Sequence, residues 1–336
     1  MNKQHFHSKF FVTGCAIVMV AALSVAQTRR PAAPPAATVT NYVPASDAIA
    51  VVDVKRMLNE TMPGIFGGDA AKLAQANAEI DKFKTRTGVD LRSVNHLTVA
   101  TRYGYPSPKT TKLDTVAIAH GSFNPAAVIA AVNQAGANGK MRQMTYHGLT
   151  INVINVNDDV KMLGLWNMHV GELAVCVLDQ NTIAFGEPSS VRAAIDAGKA
   201  GRAPAELVAL ATKDQNAVMG FGANVTPELL AQLDLGNDTI AKDVGSIKQA
   251  YGSLLSAEGN VALTIVARTD SVAAAKNLGD TVEGVRQLGG IFIMRMTEPR
   301  KSLAESALNN LKVTPRGNEL EIRTQVTAAS LAALVK

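Results

Sequence analysis

For residues 42–336 the sequence predicts an α+β chain built from two degenerate ferredoxin-like β-α-β-β-α-β units, the second enlarged by helical insertions. Three observations point there. Strand and helix signals alternate from Tyr42-Val43-Pro44 onward. The first half, residues 42–170, orders them β-α-β-β-α-β. In the second half, residues 171–336, one local design recurs at Thr182, Ala217, Val261 and Leu320: a strand, a short turn of Thr, Ser, Asn or Pro, then an Ala-rich helix. The unequal spacings exclude a solenoid. A doubly wound parallel sheet is the alternative, but it lacks a nucleotide-binding fingerprint.

Each element has its own signal. Ala48 to Val54 is a short apolar strand, and Leu73, Ala76, Ile80 and Phe83 mark a helix that stops at Gly88. His96–Thr101 and Thr115–Gly121 read as strands flanking a loop with Tyr103-Gly104-Tyr105-Pro106. Asn124-Pro125 opens a helix to Ala135, with proline in the first turn where its missing N–H costs nothing. Leu149–Val156 alternates like a half-buried strand. Leu173–Leu178 and Thr182–Phe185 form a hairpin, Pro188–Ala197 a helix and Ala217–Ala223 a strand. From Thr226-Pro227 a helical insertion is expected, with Ile240, Val244, Ile247, Tyr251 and Leu254 along one face. Val261–Ala267 is a strand, and Thr269, Asp270 or Ser271 caps a helix showing Val272, Leu278, Val282 and Val285. A helix from Glu298 to Leu311, a strand through Leu320, Ile322 and Val326, and a short terminal helix complete the chain. Two antiparallel-rich sheets or one fused sheet are expected, with the helices packed on one face.

Residues 1–26 read as a secretory signal peptide. Lys3 and Lys9 are basic, Phe10 to Ala26 is nearly all apolar, and Ser24-Val25-Ala26 puts small residues at the cleavage positions before Gln27. Two other fates are open: lipidation at Cys15, within Val12-Thr13-Gly14-Cys15, and retention as a single-span anchor. Residues 27–41, with Arg29-Arg30-Pro31 and Pro34-Pro35, form a Pro/Ala-rich linker. The expected address is therefore periplasmic or extracellular, with membrane contact only through an uncleaved N-terminal segment.

Composition narrows the class further. A chain of 336 residues, 47% hydrophobic and 18% charged, is too long for a disulfide knot and too apolar for wholesale disorder. Cleavage would leave 31 basic against 28 acidic residues, since Lys3 and Lys9 fall in the signal. No concentrated basic face remains for nucleic acid. Cys176 would then be the sole cysteine; within Leu173–Leu178 it reads as a small buried hydrophobe.

The phrases Tyr42-Val43-Pro44-Ala45-Ser46-Asp47-Ala48-Ile49-Ala50-Val51-Val52-Asp53, Thr87-Gly88-Val89-Asp90-Leu91, Leu311-Lys312-Val313 and Leu320-Glu321-Ile322 resemble a broad group of exported bacterial proteins of unknown function. The resemblance spans most of residues 42–336. It implies an exported address and an α+β fold, and it transfers no catalytic residue.

No catalytic phrase occurs: no G-x-S-x-G, S-x-x-K, H-E-x-x-H, Walker A loop or C-x-x-C. Gly220-Phe221-Gly222 lacks a third glycine and marks a place where backbone turns or approaches closely. Met141, Met144 and His147, with Met162, Met168 and His169, have the residue types for a soft ion, but loose proximity is not convergent geometry; His96 and His120 complete the histidines after residue 26. Asp158-Asp159 reads as part of a turn rather than as a facing acid pair. Trp166 reads as a hairpin anchor or, if exposed, a contact point.

The expected function is therefore an exported, non-catalytic binding or assembly module, with an unknown protein partner or self-association and no cofactor. Trp166, Met168 and His169 are its candidate contact residues. An unrecognised exported hydrolase is the alternative, and a soft-metal binder the third.

Overall fold

The computed structural model describes residues 41–107, 110–135, 141–162, 166–200, 205–232, 237–257 and 259–334. The expected signal peptide and nearly all of the linker lie outside the described residues. Strand β1 (Ala48–Asp53) leads into α1 (54–66), where a π-type turn, Met57–Thr61, joins two α-helical pieces, and then α2 (Ala70–Thr87). Next come β2 (Val94–Ser107), β3 (Thr110–Gly121), α3 (Pro125–Ala135), β4 (Met141–Tyr146), β5 (Leu149–Met162), β6 (Trp166–Asp179), β7 (Thr182–Gly186), α4 (Pro188–Ala200) and α5 (Ala205–Ala211). The remainder holds β8 (Met219–Asn224), α6 (Pro227–Leu230), α7 (Asp238–Gly245), β9 (Ile247–Ala257), β10 (Asn260–Thr269) and α8 (Val272–Ile293). It closes with α9 (Arg300–Asn309), β11 (Lys312–Arg316), β12 (Glu319–Thr327) and α10 (Ala328–Ala332).

These strands form one sheet in the order β11-β12-β10-β9-β8-β1-β2-β3-β7-β6-β5-β4. All its neighbours are antiparallel. The chain is thus α+β, but the strand order is not that of ferredoxin-like units. A split β-α-β arrangement sets strands on either side of a skipped position. Here α1 and α2 instead return the chain to the strand beside β1, and the same happens between β8 and β9. The order β8-β9-β10-β12-β11 repeats β1-β2-β3-β5-β4, with the β6-β7 hairpin inserted between β3 and β5. At the junction Ala50 lies opposite Phe221, at matching places in β1 and β8. Residue 170, where the sequence divides the chain, falls inside β6.

Alternation along β1 shows how the layers are built. Ile49 and Val51 enter one core cluster and Val52 another, so both faces of the central strand are buried. The helices therefore occupy both faces, not the single face expected. On the front, Val191, Ala194 and Ile195 of α4 and Leu207, Val208, Leu210 and Ala211 of α5 cover the middle of the sheet. On the back, α1, α2 and α10 pack over β1 and β2, α3 packs over β5, β6 and β7, and α8 packs over β10, β11 and β12.

Local signals explain most element ends. Gly88 ends α2 with φ 69°, a left-handed conformation that favours glycine. Thr226 caps α6 by accepting from the Leu229 N–H, and Ser271 caps α8 by accepting from the Ala274 N–H. Residues 247–254 correct the expected helical insertion: after the eight-residue α7 the chain enters β9, paired with both β8 and β10. Tyr103-Gly104-Tyr105-Pro106 is not a loop but part of β2, which runs on to Ser107. Asp158-Asp159 lies within β5, beside a register irregularity between Asn155 and Asp158, and not in a turn.

Candidate functional site

Three places gather chemistry-bearing side chains, and the first is a polar network at the edge of the front helical layer. Tyr251, 4% exposed, receives a hydrogen bond from Lys213 Nζ (2.7 Å) and donates to Glu319 Oε2 (3.0 Å). Arg268 Nε donates to Glu319 Oε1 at 3.0 Å, and its Nη1 to Gln249 (2.6 Å) and Glu206 (3.2 Å). Lys213 Nζ also lies 4.3 Å from the Tyr251 ring centroid. Burial would raise the Glu319 carboxyl, but Arg268, Tyr251 and Lys213 outweigh it and hold the group below its ordinary range. The donors are consumed internally, so the network ties α5 and its following turn to β9, β10 and β12.

A pH dependence follows. With its folded pKa depressed, Glu319 stabilises the fold fully above its unfolded pKa, near 4.3, and loses that contribution as pH falls through the folded value. Glu319→Gln is expected to cost about 1–2 kcal/mol at pH 7, since both partners are only about a quarter to a third exposed. Urea midpoints measured at pH 7 and at successively lower pH should converge between variant and wild type as pH falls through the folded pKa. A gap that stays constant with pH would show that the ion pair contributes nothing.

The histidines and sulfur groups do not converge. Asp53, His96, His120 and Thr182 form one row across β1, β2, β3 and β7. Burial lowers the His96 pKa, with Asp53 acting in the opposite direction. Met141 joins a cluster on the back of the sheet and Met144 one on the front, so these two sulfurs face apart. His147, at the β4–β5 turn, is 3.2 Å from Asp196 of α4. Among the described residues no three His, Cys, Asp or Glu side chains are grouped to hold a metal. Cys176 is buried, and burial pushes its thiol up to about 11, so little thiolate exists at neutral pH.

Trp166, Met168 and His169 lie on β6, in register with Met162, Val160 and Asp159 of β5. Their side chains lie outside the described ones. β4 pairs with β5 only as far as Ile154, and β7 with β6 only from Ala174. Beyond those points β5 and β6 pair, among the described residues, only with each other, so the three residues sit on a two-stranded arm.

The third place is apolar and exposed. In the first half of α8, Leu278 and Val282 pack with Val313, Leu320 and Ile322. The same helical spacing continues through Val285, Leu288 and Phe292, which are 52%, 55% and 64% exposed. Ile291, Met294 and Met296 extend this surface, at 51%, 70% and 45%. Ile293, by contrast, is buried, and Gly289 lets Leu308 of α9 approach closely. The two helices thus form a pair with an apolar ridge along its outside. Clustering on this scale marks an interaction site more often than chance exposure. Sequence reasoning gave the continuing face through Val285; it missed the extension to Met296, because Gly289-Gly290 interrupts the helical signal there.

A cleft of about 550 Å³ lies between the α1–α2 junction and α10. Its lining is mostly Gly and Ala, and its one amine, Lys72 Nζ, donates to the Ala332 carbonyl at 2.5 Å. No helix among the described residues is long and apolar enough to cross a membrane.

No protein-family model and no curated protein matches the chain. Similar solved structures are crystal forms III, I and IV of TP0453, 11%, 10% and 11% identical, each with a TM-score of 0.43. The alignments cover 90%, 89% and 90% of this chain and 97%, 96% and 96% of the other. Likeness at that level carries no inference about activity.

Proposed function

We propose that the protein is an exported, non-catalytic binding or assembly module of the cell envelope, and that the α8–α9 ridge is its contact face. One observation carries this reading: six large apolar side chains, Val285, Leu288, Ile291, Phe292, Met294 and Met296, stand exposed on one helix and the turn after it. Burying such side chains is worth about 1.5–3 kcal/mol each, so leaving them in solvent is costly unless a partner covers them. Export rests on the basic, apolar and small-residue order of residues 1–26.

Photo-crosslinking in intact cells tests the reading, with the probe at Leu288 or Phe292 of the full chain and a control at exposed Gln75 of α2. Ridge probes should give a defined adduct, whether protein or lipid, that the control lacks. Equal, diffuse labelling from all three positions would overturn it.

The β5–β6 arm is a second contact candidate, favoured by its extension past its neighbours. Joint alanine replacement of Trp166, Met168 and His169 should weaken capture while leaving thermal stability unchanged. Loss of stability would assign them to a structural hairpin instead.

A further inference from the structure

Resting on the reading of the α8–α9 ridge as a contact face, we infer that what it contacts is an anionic lipid surface. The apolar side chains would enter the headgroup boundary while arginines meet the phosphates. The charge around the ridge is the first argument. From Gln287 to Lys301 the basic residues are Arg295, Arg300 and Lys301, the last of them paired with Glu305 at 3.9 Å, and the carboxylate within the stretch is Glu298. Arg295 and Arg300 are exposed, and neither has an ion-pair partner among the described residues. Glu298 accepts from the Ser302 hydroxyl at 2.6 Å, and Glu283 is paired with Arg286. Along α8 itself Lys276 and Arg286 stand against Asp280 and Glu283; Asp280 lies in the sheet-bound half and Glu283 is paired with Arg286. Beside the exposed ridge the unpaired charges are then Arg295 and Arg300 against Glu298, a small basic excess that an anionic surface attracts.

The ridge's form separates a bilayer from the other occupants. A second copy would meet it through a two-fold contact in which a residue at one end of the ridge faces a residue toward the other end of its partner, and such pairing would deepen with protein concentration without any lipid. A protein partner would need a concave complement, because side chains as exposed as Phe292 and Met294 stand out from the surface rather than line a groove. A fluid headgroup layer requires no such fit. It asks for an apolar edge and cations at its boundary.

The test uses the full chain with Phe292→Cys carrying an environment-sensitive fluorophore, and Cys15→Ser to leave buried Cys176 as the only other thiol. The label reports on the ridge itself, and tethering through the apolar residues 10–26 is common to the labelled chain and its double-Glu variant, so their comparison isolates the rim charges. Phosphatidylglycerol vesicles should give a blue shift and at least a doubling of intensity, reversed by high salt. Phosphatidylcholine vesicles should give little, and adding Arg295→Glu with Arg300→Glu should weaken the response about tenfold. A label that ignores anionic vesicles, responds equally to neutral ones, or keeps its full response in the double-Glu variant overturns the lipid assignment. So does a shift that grows with protein concentration without lipid, which would mean self-association. If the label is silent but the Leu288 and Phe292 probes still give a specific protein adduct, the lipid assignment falls and the contact face stands. If both are silent, both fall.

Discussion

Replacing Gly220 by Ala should destabilise the protein by about 3 kcal/mol, at the upper end of what overpacking costs. Gly220 and Gly222 lie on the front of β8, directly under α5. A Cβ on Gly220 would fall inside the van der Waals surface of the Ala211 carbonyl oxygen. At Gly222 it would meet the Leu207 carbonyl and the Leu210 Cβ, both at 2.9 Å. The obstacle at Gly220 is helix backbone, which cannot rotate away as a side chain would. Relief requires α5 to lift off the sheet, and Leu207, Leu210 and Ala211 would rise with it. A urea titration should show a lower midpoint with an unchanged slope. An unchanged midpoint would mean that α5 does not rest on β8.

Ile195→Ala should cost about 2–5 kcal/mol, and Ile195→Val about 1 kcal/mol. Ile195 is 2% exposed and sits in the front core with Val191, Ala194, Ile151, Val153 and Cys176. Removing three carbons there leaves a cavity between α4 and β5 that the surrounding strands, held by their ladders, can close only in part. Thermal melts of the two variants should rank Ala well below Val below wild type. If Ile195→Ala melts like the wild type, the front layer contributes no core, and the sheet would be covered on one face only.

The elements most legible in the sequence were those whose signal is local. Ser271 before Val272, Thr226 before Pro227 and Gly88 after Thr87 each mark a helix end through a single cap. Gly220-Phe221-Gly222 was legible too, as a close backbone approach, though not which helix makes it. The failures share a physical cause. Ile247, Tyr251 and Leu254 fit a helical face, yet in β9 they are ordered by β8 and β10 on either side; periodicity cannot separate these states in a short apolar run. Helices on both faces were not readable because β1 is buried on both sides, which erases the alternation that would have shown it. The apolar ridge was half visible: Val285 continued the stripe, but only the packed structure shows that Leu278 is covered while Leu288 is not.

The central place of β1 also governs how the chain is made. β1 is the first described strand, yet one of its two edges pairs with β8. At about 5–20 residues per second, roughly ten to thirty seconds of synthesis separate the two. Throughout that interval Ala48-Ile49-Ala50-Val51-Val52, uncharged and rich in β-formers, presents an unpaired edge, a template for pairing between nascent chains. A chain ended before Met219 should therefore scatter light at concentrations where the full chain stays clear, and a fragment that stays clear would mean that something else shields the edge. Whatever keeps the chain from associating before folding has to shield this segment until β8 is available, because the first described strand sits in the middle of the sheet.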